Sequence, residues 1–167
     1  STCKNGTTRK INGRRKMSED FLKVQPIRNG TVIDHIEAGC GRKVLDILEL
    51  ENSGTTISLL INVQSKKQKR KDIIKIEDRE LDENEIEKLA LLSPNARVNI
   101  IRNYAVAEKK KVDIPNLISN IVECPNGNCI SNNERGAISK FKLIDSSMLI
   151  KCTYCGRKIK EESINFL

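Results

Sequence analysis

Tryptophan is absent from this 167-residue chain, only 3% of its residues are aromatic, and it holds a single histidine, His35. A core must then be built from Ile, Leu and Val, and a single-strand nucleic-acid platform, which stacks bases on exposed rings, lacks its parts. One imidazole, most simply a structural hydrogen-bonder, leaves little for acid-base chemistry. No nucleophile-elbow serine motif and no glycine-rich phosphate loop occurs, and Cys3 and Cys40 have no partner base nearby in sequence. An independent enzyme is therefore the least supported class. No apolar run is longer than about five residues, so no segment reads as membrane-spanning. The N-terminus is polar and basic without the apolar stretch of a secretory signal, which makes a cytoplasmic setting with reduced thiols the expectation.

Four of the six cysteines do form a pattern. Cys124 and Cys129 are separated by four residues, Cys152 and Cys155 by two, and 22 residues lie between the pairs. Each short loop can bring two thiolates to one side of a tetrahedral ion, so the pattern reads as one four-cysteine zinc site. Pro125, Asn126, Gly127 and Asn128 are turn formers, and Gly156 follows the second pair, which lets backbone N–H groups point at the sulfurs. A closed shell of four thiolates leaves no position for water, so the metal is expected to be structural. Two disulfides or four unrelated thiols are the alternatives, and disulfides suit secreted chains. A small module with few aromatics would be marginal on packing alone, and metal binding can contribute on the order of 10 kcal/mol to its folding.

The net charge of +8 is unevenly placed. Residues 1–20 carry Lys4, Arg9, Lys10, Arg14, Arg15 and Lys16 against only Glu19 and Asp20, with almost no apolar residues, and read as a disordered basic tail. Beyond the tail, Phe21 to Ile27 and Thr31 to Ile36 read as extended, with a turn or bulge at Asn29-Gly30 and with Val32, Asp34 and Ile36 sharing one face. Gly39-Cys40-Gly41 opens a helix whose buried side is Val44, Leu45 and Leu48, and Cys40 reads as a small packed residue. Ile57, Leu59, Ile61 and Val63 alternate along a strand, and Lys71 to Ile76 returns as its hairpin partner, with Lys71, Ile73 and Lys75 opposite Asp72, Ile74 and Ile76. Asp82 with Glu85 signals a helix start, Ile86, Leu89 and Ala90 give its stripe, and Ser93-Pro94 ends it. A last strand, Ala96 to Ala107, bends at Arg102-Asn103.

Strand, helix, strand, strand, helix, strand is the ferredoxin-like βαββαβ order, so the fold class is α+β. Lys109-Lys110-Lys111 and Ile114-Pro115 mark a boundary, giving domains at 21–114 and 115–167. The second reads as a small all-β zinc domain with strands at Phe141 to Ile144, Met148 to Ile150 and Ile159 to Ile164. Lys71, Lys75 and Lys109 lie on or just after sheet strands. They could meet phosphate as point charges, or they could be solvated lysines that protect a sheet edge.

Three stretches taken together carry a resemblance: Asn29-Gly30-Thr31-Val32-Ile33-Asp34-His35-Ile36, Arg70-Lys71-Asp72-Ile73-Ile74-Lys75-Ile76-Glu77, and Cys124-Pro125-Asn126-Gly127-Asn128-Cys129-Ile130. In this order, and from about Phe21 onward, the chain resembles the regulatory chain of aspartate carbamoyltransferase. The resemblance implies a non-catalytic subunit whose N-terminal domain binds CTP as inhibitor and ATP as activator, with UTP acting beside CTP, in the control of pyrimidine biosynthesis. It implies a nucleotide site at Val24, Ile27, Asp34, His35, Lys71, Lys75, Asn99, Ile101, Tyr104, Val106 and Lys109, with backbone groups near Ile27 and Tyr104 reading the base edge. It places zinc on Cys124, Cys129, Cys152 and Cys155, and a catalytic-chain contact at Asn126, Asn128 and Arg157. It further implies homodimers through the N-terminal domains and a holoenzyme of two catalytic trimers bridged by three regulatory dimers. Pro26 beside the site, Gly156 after the last cysteine and the long tail depart from the family pattern. The rival reading is a zinc-ribbon nucleic-acid-binding protein that uses the tail, Lys66 to Lys71 and Lys109 to Lys111 along a phosphate backbone.

Overall fold

Residues 26–66 and 69–167 are described by the computed structural model. The tail at 1–20, Val24 and most of the extended segment expected from Phe21 lie outside these residues. The first unit runs β1 (Gly30–Glu37), α1 (Gly41–Ile47), β2 (Ile57–Gln64), β3 (Arg70–Glu77), α2 (Glu83–Leu92), β4 (Arg97–Arg102) and β5 (Ala105–Lys111). Its strands form one antiparallel sheet in the order β2-β3-β1-β4-β5, which is the ferredoxin-like order with one strand added at an edge. Both helices pack on one face, where Ile33, Ile36, Ile74, Ile76, Val98 and Ile100 meet Val44, Leu45, Leu48, Leu89, Ala90 and Leu92. This core is aliphatic, as the scarcity of aromatics requires. Asp82 caps α2 by accepting the Glu85 N–H at 2.8 Å. No helix among the described residues is long and apolar enough to cross a membrane.

Three expectations for the sheet need correction, and each fails at a residue with positive φ. In β1, His35 sits at φ 58° where the register shifts, so Ile36 joins Thr31 and Ile33 in the core instead of lying with Val32 and Asp34. In β2, Asn62 sits at φ 59° beside a second shift, and Ile61 is left 53% exposed instead of sharing the core face with Ile57 and Leu59. The third concerns the strand expected over Ala96 to Ala107. Asn103 and Tyr104, at φ 52° and 64°, reverse the chain in a two-residue hairpin turn, so β4 and β5 are separate strands and Lys109 to Lys111 belong to β5 instead of a linker.

The second unit contains β6 (Leu117–Ser119), β7 (Val122–Glu123), the short helix α3 (Ile130–Asn133), β8 (Lys140–Leu143), β9 (Ile150–Cys152), β10 (Lys158–Ile159) and β11 (Asn165–Phe166). The strand expected over Ile159 to Ile164 is instead the two residues of β10, a single 3-10 turn at Glu161–Ser163, and β11 pairing with β7. Phe141 is fully buried in this unit beside Ile118, Ile121, Ile150, Cys124, Cys129 and Cys152. Leu91 of α2 packs into the same cluster, and Ile114 and Phe166 touch both cores, so the two units share an apolar seam.

Two residues hold the sheet in register. Gly30, at φ 137°, crosses so close to β3 that a Cβ would collide with the Ile76 carbonyl oxygen. Asp72, fully buried on β3, accepts N–H groups from three places: Gly39 and Gly41 at 3.0 Å through Oδ2, and Asn62 at 3.0 Å through Oδ1. A buried carboxylate is tolerable only when its lone pairs are met in this way. Replacement by Ala strands these donors, two of them at the start of α1 and one at the β2 bulge. Asp72→Ala is expected to cost about 3 kcal/mol or more of stability, and Asp72→Asn, which keeps one acceptor oxygen, about half as much. Urea unfolding followed by circular dichroism checks both, and an unchanged midpoint for Asp72→Ala would refute the role.

Candidate functional site

Opposed residues in an antiparallel sheet share a face, so the registers define what the helix-free side presents. One row runs Ser58, Lys75, Val32, Asn99 and Lys109 from β2 to β5. The neighbouring row runs Asp34, Arg97 and Lys111 across β1, β4 and β5. On the far side of the first row, Ile101 lies opposite Val106. Alternation along each strand thus turns the same sequence that buries Ile33, Val98 and Ile100 into a polar, mostly cationic outer face.

A cleft of about 450 Å³ opens on this face, lined by Asp34, His35, Arg97, Asn99, Lys109, Lys110 and Lys111. Lys71 reaches over from β3 and ion-pairs with Asp34 Oδ1 at 2.7 Å, both side chains being less than a quarter exposed. Asp34 also accepts the His35 backbone N–H at 2.6 Å, which fixes the bulge. The His35 ring places Nδ1 at 3.4 Å from Asp34 Oδ2, shielded from solvent and without a hydrogen bond. Burial lowers the pKa of Lys75, and an anion that approaches this lysine would oppose that shift. Four cations line the cleft and its one carboxylate is already balanced by Lys71, so the cavity favours a multiply charged anion.

Of the residues expected to form a site, Asp34, His35, Asn99 and Lys109 line this cleft. Lys71 joins it through Asp34, and Lys75 adjoins it through Val32. Ile101 is buried and Val106 half exposed at its flank, and Ile27 is buried at the start of the described residues. Tyr104 stands at the hairpin tip with 66% of its surface exposed. Its backbone N–H donates to the Arg28 carbonyl at 2.9 Å, so that donor is committed within the chain. Val24 lies outside the described residues. Arg97, Lys110 and Lys111 were not among the expected residues. Arg97 was legible from period two, because it stands two residues before Asn99 on the same strand.

At the other end of the chain, the Sγ atoms of Cys124, Cys129, Cys152 and Cys155 all lie within 4.8 Å of one another. Cys124 to Cys155 and Cys129 to Cys152 are each 3.7 Å. A tetrahedral ion with metal–sulfur bonds of about 2.3 Å sets its sulfurs roughly 3.8 Å apart, whereas a disulfide bond is about 2.0 Å long. The spacing fits a four-thiolate metal centre and excludes the disulfide alternative. The backbone N–H of Arg157 is the main reason that the Cys155 thiol is held below its ordinary range, while burial pushes the Cys124 thiol up. All four become thiolates together only around a cation.

The loops that aim these sulfurs are stitched by residues that sequence reasoning missed. Asn132 Nδ2 donates to the carbonyls of Cys124 and Asn126, both at 2.8 Å. Asn133 Nδ2 donates to those of Gly127 and Cys129 at 2.7 and 2.8 Å. Both side chains sit on α3, just beyond the loop they hold, and only their amide chemistry hinted at the role. Asn126 is half-buried, and its Oδ1 accepts the Asn128 N–H at 3.1 Å, so this expected partner residue is spent partly on the loop itself. Asn128 and Arg157 are exposed.

A ligand-sized, cation-lined cleft on a ferredoxin-like sheet, joined through an apolar seam to a four-thiolate module, defines a two-domain protein with a cationic cleft in one domain and a metal-type thiol cluster in the other. Residues 22–113 match the model of the aspartate carbamoyltransferase regulatory chain allosteric domain, and residues 116–165 match that of its metal binding domain. The chain belongs to the aspartate carbamoyltransferase regulatory chain family, which makes it a regulatory and non-catalytic chain. The regulatory chain of Methanothrix thermoacetophila is 46% identical over 153 residues, covering 90% of this chain and 99% of the relative. That of Pyrococcus abyssi is 51% identical over 146 residues, covering 86% and 95%. That of Saccharolobus solfataricus is 48% identical over 147 residues, covering 87% and 92%.

Two outcomes follow from the thiolate geometry. Metal removal by a chelator is expected to unfold 115–167 while the five-stranded sheet stays protected, as read by hydrogen exchange; equal loss of protection in both units would refute their separation. Asn132→Ala, which frees two loop carbonyls, is expected to weaken metal affinity about tenfold or more in chelator competition, whereas an unchanged affinity would leave the stitch without a role at the metal.

Proposed function

We propose that this chain is the subunit through which nucleoside triphosphates control an aspartate carbamoyltransferase. CTP inhibits, ATP activates, UTP acts beside CTP, and the signal reaches the catalytic chain through the metal module. The observation that carries this reading is the meeting of Asp34, His35, Asn99 and Lys109 in one cationic cleft, next to Lys71 and Lys75. Lys109 on the edge strand takes phosphate, while Asp34 and Lys75 address ribose and base, and Ile101, Val106 and Tyr104 supply apolar contact. Since the Tyr104 N–H is already committed to Arg28, base reading falls on backbone groups near Ile27, where Pro26 removes one donor.

The ion is zinc, which suits an all-thiolate tetrahedral donor set. It acts by shape: the knuckles present Asn128 and Arg157 outward toward the catalytic chain, with Asn126 holding the loop between them. The domains divide at 114, the N-terminal units pair as homodimers, and three such dimers bridge two catalytic trimers in the cytoplasm. Opposed effects of CTP and ATP require that each nucleotide bind the two quaternary states with different affinity, since equal affinity shifts nothing.

Calorimetric titration of the full chain with CTP and with ATP at moderate salt tests the reading. Saturable binding is expected, and a Lys75→Ala, Lys109→Ala double variant is expected to lose it by about a hundredfold, from two charge-assisted contacts. No heat for either nucleotide, together with oligonucleotide binding that falls steeply with salt, would overturn it in favour of a nucleic-acid-binding protein.

A further inference from the structure

The row that faces Asp34 has a charge imbalance that the proposed nucleotide contacts do not use. Arg97 lies directly opposite Asp34 on one side and Lys111 on the other. Its natural partner across the strand is taken, because Lys71 holds Asp34 at 2.7 Å. Lys111 has only a loose, exposed pairing with Asp113 at 3.5 Å. Arg97 itself lines the cleft and has no ion pair among the described residues. Two cations that stand opposite one another on adjacent strands repel, and an anion placed between them would relieve that repulsion.

Position along the strands says which part of an anion belongs there. Lys109 and Lys111 point to the same face of β5 and are two residues apart, or about 7 Å along the strand. A phosphate chain anchored at Lys109 and running along β5 therefore ends between Lys111 and Arg97. Arginine presents a planar fork that meets two phosphate oxygens at once, which a lysine ammonium does not.

We propose that Arg97 is a specificity-determining residue that, with Lys111, receives the terminal phosphate and makes this cleft select triphosphates over diphosphates. The proposal rests on the nucleotide reading of the cleft and adds the part of the ligand that Arg97 measures. Lys75, Asn99 and Lys109 hold the features that CTP and CDP share, and Arg97 holds the feature that only CTP has.

The test is titration of the full chain with CTP and CDP for the unmodified protein, Arg97→Gln, Arg97→Lys and Arg135→Gln, the last controlling for net charge from the thiolate module. The unmodified chain is expected to prefer CTP. Arg97→Gln is expected to weaken CTP about tenfold while leaving CDP within about twofold, the scale of one charge-assisted contact. Arg97→Lys, with charge but no fork, is expected to recover part of the loss, and Arg135→Gln to change neither nucleotide. Circular dichroism and the thermal midpoint show that each variant is folded. Equal weakening of CTP and CDP by Arg97→Gln, or no weakening of either, overturns the proposal while leaving the nucleotide reading intact. Absence of saturable binding of both CTP and ATP to the unmodified chain overturns both.

Discussion

One buried carboxylate ties together the parts that build the cleft. Asp72 accepts backbone donors from the β1–α1 loop, from α1 and from the β2 bulge, and so fixes how the helix layer sits on the sheet. Its neighbours in β3 point the other way by strand alternation. Lys71 and Lys75 are therefore held on the outer face by the same residue that anchors the inner one. Removing three such hydrogen bonds would cost several kcal/mol against a net stability of about 5–15 kcal/mol for an ordinary domain, so the outer face depends on an interaction it never touches.

The outer face is arranged at some electrostatic expense. Lys71 neutralises Asp34, which leaves Arg97, Lys109, Lys110 and Lys111 around one cavity with no further carboxylate lining it. Concentrating like charge on a strand edge does not stabilise a folded chain. The repulsion is relieved when a polyanion enters, which is the sense in which such a face is organised for a ligand and not for folding. Similar logic governs the thiolate module. Four sulfurs within 4.8 Å cannot all ionise without a cation, and the asparagine stitches of α3 hold them near metal spacing in advance. Each domain thus carries a cluster of one charge sign that an ion of the opposite sign would balance.

How much of this was legible follows from which signals are local. Cysteine spacing picked out the four thiols that the structure brings together, because two short loops and a tetrahedron leave few other solutions. Period two and the cap at Asp82 were enough for the order of elements. What failed was the phase of β1 and β2 and the count of strands. Each failure in the five-stranded sheet traces to a non-glycine residue in the left-handed region: His35, Asn62, and the Asn103-Tyr104 turn. Asparagine tolerates that conformation and could have raised suspicion, but histidine and tyrosine give no such warning. Hydrogen bonds supplied from a distance, such as Asn62 N–H to Asp72, make these conformations worthwhile, and no window along the chain contains them. The stitches from Asn132 and Asn133 were missed for a related reason, since attention to the residues between the cysteines passes over those just beyond them.

The seam between the units bears on how a regulatory chain can transmit anything. Leu91 belongs to α2 by sequence but to the metal module by packing, and Ile114 and Phe166 touch both cores. The helix that carries Leu91 lies on the opposite side of the sheet from the cleft. The strands β1 and β4 that line the cleft also carry Ile33, Val98 and Ile100, which press on the same helix layer. Close-packed aliphatic layers shift as bodies and do not deform smoothly, so a small change in strand spacing can be passed to α2 and from there to the metal module. The seam is apolar and gives no preference for one ligand over another. A difference between two ligands would have to come from how each binds two states of the protein, since an apolar seam cannot tell them apart.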